Sequence, residues 1–168
     1  EHILVAGVDR ARVVRRGQLL TTATLIYNSL EGLGSLALGV LAGSVALIGF
    51  GVDSFIEVLA TVAAMWRLHQ DADAARRAAA DRLALLLIGL SFLALAAFVT
   101  LDAVRTLRTQ SAPEPSPLGI GLAALSLLVM PALARAKRGV AAELSSTALR
   151  AEARQTDICF YLSAILLG

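Results

Sequence analysis

The sequence predicts an all-α protein, a polytopic membrane helix bundle with five transmembrane helices in this chain. Three observations carry that reading. The chain is 57% hydrophobic and only 17% charged, whereas a soluble domain is about half apolar and about a quarter charged. Its apolar residues fall into runs long enough to cross a bilayer, which takes about 20 residues of helix. Thirteen of the fifteen Lys and Arg residues lie in segments that share one side of the membrane once the runs are laid antiparallel, the asymmetry that marks cytoplasmic loops.

The expected elements follow in order. Residues 1–16 form a cytoplasmic N-terminal segment that carries Arg10, Arg12, Arg15 and Arg16; His2 in it reads as a frayed terminal residue. No signal peptide is expected, since no short apolar core with a small-residue cleavage site opens the chain. Residues 17–168 form the transmembrane domain, with helices at about 17–42, 44–68, 80–108, 117–137 and 142–168. Gly43-Ser44 is a two-residue turn between the first two. In the first helix, Ser35, Gly39 and Gly43 recur every four residues, a small-residue row suited to close helix packing. The connector with His69, Asp71 and Asp73 reads as a solvated hairpin, because residues two apart on a helix face different ways. Asp102 and Arg105 predict a local ion pair. Arg105 to Pro117, rich in proline, reads as an exposed loop. Pro131 predicts a kink in the fourth helix. Only Arg105 and Arg108 lie on the outer side, so the N-terminus and the connectors around His69 and Lys137 are expected in the cytoplasm, with the protein in the cell (inner) membrane.

The chemistry is expected to centre on Asp53 and Glu57. They stand four apart in the second helix and so share one face, a turn from each other. An acid at the bilayer centre costs about 2.5–3.5 kcal/mol on insertion scales. Two persist there only if protons, a basic partner or a cation offset that cost, which makes a cation site the leading hypothesis. Glu31, near the middle of the first helix with Tyr27, Asn28 and Ser29, lies at similar depth. The fifth helix adds a second polar centre of Glu152, Arg154, Gln155 and Asp157, in which Asp157 is expected to face Asp53 and Glu57 while Arg154 can neutralise it locally. Other function classes have little support. The net charge of +2 argues against a nucleic-acid partner. The one cysteine, Cys159, provides no intrachain disulfide and no cysteine metal cluster. No nucleophile–base pair, phosphate loop or cofactor motif suggests an enzyme.

ALIGFGVDSFIEV resembles the second transmembrane helix of the cation diffusion facilitator (cation efflux) family, where small residues precede an acid or histidine, three residues, and an aspartate. STALRAEARQTDICFYLSAILLG resembles that family's fifth helix, where an Ala-acid-Ala element precedes His-x-x-x-Asp. The short first outer loop and the basic inner loops agree, and the resemblance runs from about Arg16 to Gly168. It implies a six-helix homodimeric divalent-metal/proton antiporter, with a four-ligand metal site between helices two and five. It also implies that a sixth helix and a cytoplasmic metal-binding domain lie outside this chain. Carried over by position, the site falls on Asp53, Glu57 and Asp157. The family's histidine falls on Ala153, and Glu57 stands where aspartate is usual. Both departures shift the expected site from tetrahedral zinc, which favours His and Cys beside carboxylates, toward harder ions such as Mn²⁺. Glu31 is the expected replacement ligand, with Asn28 and Gln155 as further candidates. The divalent cation, whether Zn, Mn, Fe or Co, is substrate rather than resident cofactor. The lipid bilayer, protons and a second copy of the chain are the expected partners. The rival reading is a non-transporting membrane subunit or sensor with a degenerate cation site.

Overall fold

The computed structural model describes residues 2–109 and 117–167, with side chains from Asp9 onward except that of Leu166. Five helices make up the described chain: α1 (His2–Ala42), α2 (Val45–His69), α3 (Ala74–Thr109), α4 (Pro117–Glu143) and α5 (Thr147–Leu167). Four of them, α1 to α4, are long and apolar enough to cross a membrane. The N-terminal half of α5 carries Arg150, Glu152, Arg154 and Asp157, and only its second half is strongly apolar.

The helices outrun the expected spans. The basic N-terminal segment is continuous with α1, because no Pro interrupts it and α1 runs through both Gly7 and Gly17. A Cβ at Gly17 would come within 3.0 Å of Val140 and 3.1 Å of Leu68, so this glycine lets α1 approach both α2 and α4. Likewise α3 begins at Ala74 rather than 80, in an Ala-rich run of strong helix formers. α4 continues past Pro131 to Glu143, and α5 starts only at Thr147. Most of the expected basic loop before the fifth helix is therefore helix, and the connection is the turn Leu144–Ser146. Residues 110–116, the centre of the expected proline-rich loop, lie outside the described part, as does the His2 side chain.

The turns show how the sequence ends one helix and starts the next. Gly43 adopts φ +64°, the left-handed conformation in which glycine carries no steric cost. Ser44 N–H then reaches the Gly39 carbonyl at 2.9 Å and Gly43 N–H the Val40 carbonyl at 3.4 Å, the paired bonds of a Schellman stop. The Ser44 hydroxyl accepts from Leu47 N–H and caps α2. Gly43 thus serves the turn rather than the expected packing row. The row itself is Gly32, Ser35 and Gly39: a Cβ at Gly39 would lie 2.8 Å from Ile48 N, and one at Gly51 would lie 3.0 Å from the Gly32 carbonyl. These contacts put the backbones of α1 and α2 nearly in touch.

Around that pair, α4 packs on α1 and α5, and α3 packs on α2 and α5. The buried core is largely alanine. One cluster joins Ala64, Leu68, Val140, Ala141, Leu144 and Leu149; a second joins Ala60, Ala63, Ala84, Ile88 and Ala148. Leu30, Leu41, Leu93, Leu101 and Leu128 remain exposed, as expected of a face that meets lipid.

One end of the bundle is fastened by ions. Asp71 is buried and accepts from Arg10 at 2.8 and 2.9 Å and from Arg67. Arg67 also bonds Asp81 at 2.9 Å. Asp81 accepts from the Ser146 hydroxyl and from the Thr147 and Ala148 N–H groups at the start of α5, where a carboxylate meets the positive end of the helix dipole. The connector after α2 is therefore no simple solvated hairpin: Asp71 ties α1 to α2, while Asp73 caps α3 through Ala75 and Arg76 N–H and His69 bonds its own helix at Met65. Burial alone raises the Asp71 pKa, but hydrogen bonds and charges from Arg10 and Arg67 outweigh it and hold the carboxyl below its ordinary range. The expected Asp102–Arg105 ion pair does not form among the described residues.

Candidate cation site

Position on α2 decides which side chains meet inside the bundle. Asp53, Ser54, Glu57, Ala60, Thr61 and Ala64 form its buried face, a stripe at helical spacing that points at α1 and α5. Asp53 is 5% exposed and Glu57 1%. Asp53 Oδ2 and Glu57 Oε2 have no hydrogen-bond partner, and among the described residues neither acid is in an ion pair. A carboxylate oxygen left bare in a buried setting has a strong demand for a proton, water or cation.

Glu31 lies in the same interior but is differently occupied. Its Oε2 accepts from Ser54 on α2 at 2.9 Å, and its Oε1 accepts from Tyr27 at 3.1 Å and from Ser126 on α4. Tyr27 and Ser126 also lie 2.9 Å from each other, so one of these two hydroxyls can donate to the other in place of Glu31. Glu31 is thus the junction of α1, α2 and α4, with both oxygens already engaged. Asn28, fully buried on the same face of α1, has neither amide atom partnered, and neither has Gln155 on α5.

The fifth helix contributes residues other than those expected. Thr156 donates to Glu57 Oε1 at 2.7 Å. Cys159, close to one turn further on, is buried on the same stripe of α5. Asp157 is not brought to Asp53 and Glu57. It sits on the flank of α5 toward α4, where Arg138 donates to both its oxygens at 2.5 and 2.7 Å. The physical reason is helical phase: the inward stripe of α5 runs through Glu152, Thr156, Cys159 and Ser163, at i, i+4, i+7 and i+11, and Asp157 lies about 100° off it. Arg138, not Arg154, neutralises Asp157. Ala153 is fully buried. Below the acids, Lys137 and Glu152 form a buried ion pair at 2.5 Å, with side chains 5% and 3% exposed. Among the described residues no three His, Cys, Asp or Glu side chains are arranged to hold a metal ion in this conformation.

Sequence reasoning missed Ser54, Ser126, Thr156, Cys159 and the Lys137–Glu152 pair. Small hydroxyls inside apolar helices carry a signal only when their helical phase is known. Lys137 falls at the end of the expected fourth helix, beside a cytoplasmic connector, and Glu152 falls in the fifth helix's expected polar centre without a partner on the fourth. An i, i+4 pattern linking Glu152, Thr156 and Cys159 at i+7 was available to mark the polar stripe.

Apolar spans around a buried acidic pair define an integral membrane protein built to deal with positive charge. The family model described as the cation efflux transmembrane domain matches residues 21–168, and the chain belongs to that family. It is a cation transporter by that membership, with the lipid bilayer and a cation as its partners. No curated protein and no solved structure matched the chain.

Proposed function

We propose that the protein moves a divalent metal cation across the membrane in exchange for protons, exporting it from the cytoplasm. The observation that carries this reading is the pair Asp53 and Glu57: both buried, one turn apart, each with one oxygen that no protein group satisfies. Such a pair needs positive charge from outside the fold. Protons and a divalent cation compete for the same oxygens, and alternating access between two packings of the bundle makes the exchange directional. The thiol of Cys159 and the amides of Asn28 and Gln155 are the further groups in reach of a cation that reorganises the cluster. Zinc and manganese divide on that donor set, sulfur favouring zinc and oxygen favouring manganese.

The proposed orientation has the N-terminus in the cytoplasm. The ion pairs of Arg10, Arg16, Arg67 and Arg77 gather at one end of the bundle, the end that also holds most of the basic residues. A homodimer is the proposed assembly.

A second reading, a non-transporting subunit or sensor, draws on the absence of a preformed metal cage among the described residues and on the Asp157–Arg138 pair. Reconstitution separates the two. In liposomes loaded with a pH indicator, Mn²⁺ or Zn²⁺ added to one side is expected to drive proton flux that Asp53→Asn and Glu57→Gln each reduce at least about tenfold, or about 1.4 kcal/mol. No flux with either ion, or flux indifferent to both substitutions, selects the subunit reading.

A further inference from the structure

We propose that Lys137 is a positioning residue for the cation site, acting on Glu57 through the hydroxyl of Thr156; the inference rests on the transport reading above. Lys137 Nζ lies 2.5 Å from Glu152 Oε1 and 2.9 Å from Thr156 Oγ1, and Thr156 Oγ1 lies 2.7 Å from Glu57 Oε1. Thr61 on α2 adds a donor to Glu152 at 3.2 Å. The string crosses α4, α5 and α2 in three hydrogen bonds and is buried throughout.

Its direction is fixed by donor chemistry. An ammonium only donates, so toward Lys137 the threonine oxygen accepts. The one hydroxyl proton of Thr156 is then committed to Glu57 Oε1. Other hydroxyls of the bundle divide in two: Thr21, Thr24, Thr100 and Ser163 donate to the carbonyl four residues back in their own helices, the usual habit of Ser and Thr inside helices, whereas Ser54, Thr61 and Ser126 reach carboxylates on other helices. Thr156 gives up that bond to reach across to α2. The consequence is geometric. Glu57 Oε1 is occupied, Glu57 Oε2 is bare, and the carboxylate is pinned to present a single oxygen to a cation. The Lys137–Glu152 pair is neutral overall, so it steers the hydroxyl without adding net charge below the site.

A buried ion pair replaced as a unit by neutral residues is tolerated far better than one left half-made. The test therefore uses Lys137→Met with Glu152→Gln together, beside Thr156→Val and Thr156→Ser, all in the full chain in liposomes with MnCl₂ or ZnCl₂ as probe. Thr156→Val is expected to raise KM for the metal about tenfold with kcat within about twofold, and Thr156→Ser to restore it. The Lys137/Glu152 double variant is expected to raise KM by a similar factor, and adding Thr156→Val to it to change nothing more, since effects carried on one string are not additive. Multiplying effects, or a silent double variant, would overturn the proposal and leave Lys137 as packing. Infrared spectroscopy without metal provides an independent arm. The Glu57 carboxylate band, identified by its loss in Glu57→Gln, is expected to shift in Thr156→Val and in the Lys137/Glu152 variant alike. A parent without metal-driven flux defeats the transport reading, and the infrared arm then decides the string alone: a shift in both supports it, and an unmoved band in either overturns it.

Discussion

Arg138 holds Asp157 across the α4–α5 hairpin with one guanidinium nitrogen, at 2.5 Å from one carboxylate oxygen and 2.7 Å from the other. The pair is partly exposed, with side chains 42% and 29% accessible. It closes the flank of α5 beside a cavity lined by Phe92, Ala151, Arg154, Asp157, Ile158 and Tyr161, outside the stripe that carries Thr156 and Cys159.

The roles of the acids can therefore be separated. Asp157→Asn is expected to leave metal-driven proton flux within about threefold of the parent, about 0.7 kcal/mol, and to lower stability by no more than about 1 kcal/mol, as for exposed ion pairs. Asp53→Asn, measured in the same liposomes, is expected to abolish the flux. Equal losses in the two variants would mean that α5 turns Asp157 inward during transport and that Arg138 releases it.

The α1–α2 contact predicts a second contrast. A Cβ at Gly51 meets the Gly32 carbonyl at 3.0 Å and Leu36 at 2.9 Å, whereas one at Gly89 meets nothing within 4 Å. Gly51→Ala has to push two backbones apart and is expected to cost about 1–3 kcal/mol, the range for overpacking. Gly89→Ala, in the middle of α3, is expected to be neutral or to add up to about 1 kcal/mol from helix propensity. Thermal unfolding of both variants in one detergent checks the pair; similar melting temperatures would refute the close approach.

Asp71 predicts a pH dependence with a definite sign. Its carboxyl is held below the ordinary range in the folded protein by Arg10 and Arg67. The stability it contributes is thus fully present above the unfolded carboxylate pKa of about 3.9, and is lost as pH falls through the lower folded value. Acid titration of stability is expected to show a loss below about pH 4 in the parent that is smaller in Asp71→Asn. The variant should start less stable at pH 7, because Arg67 is left with an incomplete buried set of partners. Parallel titrations in the two proteins would show that Asp71 is not ionised in the fold.

The order of the helices, their number in this chain, the Gly43-Ser44 turn and the acidic pair on the second helix were all legible in the sequence. Each depends on local physics: apolar length against bilayer thickness, a glycine free to take positive φ, and a four-residue spacing that puts Asp53 and Glu57 on one face. The family was legible for the same reason, since its motifs lie within single helices. Helix ends were less so. The chain carries Ala-rich helix from Ala74 and continues α4 through Arg135 to Glu143 because no proline lies in those residues and alanine outweighs the single Gly139, although polarity there resembles a loop.

What only the tertiary structure decided is which side chains face one another across helices. That depends on the rotation of each helix about its own axis, and a rotation of about 100° per residue separates Thr156, which touches Glu57, from its neighbour Asp157, which touches Arg138. A single helix does not set that angle. It is set by the packing of small residues, Gly32 and Gly39 on Gly51 and Ile48 and the alanines of α2, α3 and α5 on each other. The same packing joins Lys137, from the cytoplasmic end of the fourth helix, to Glu152 of the fifth in a buried pair, and makes Asp71 a knot among Arg10, Arg67 and Arg77 in place of a solvated connector. Sequence therefore determined the acids that need a positive charge, and the fold determined which groups surround them.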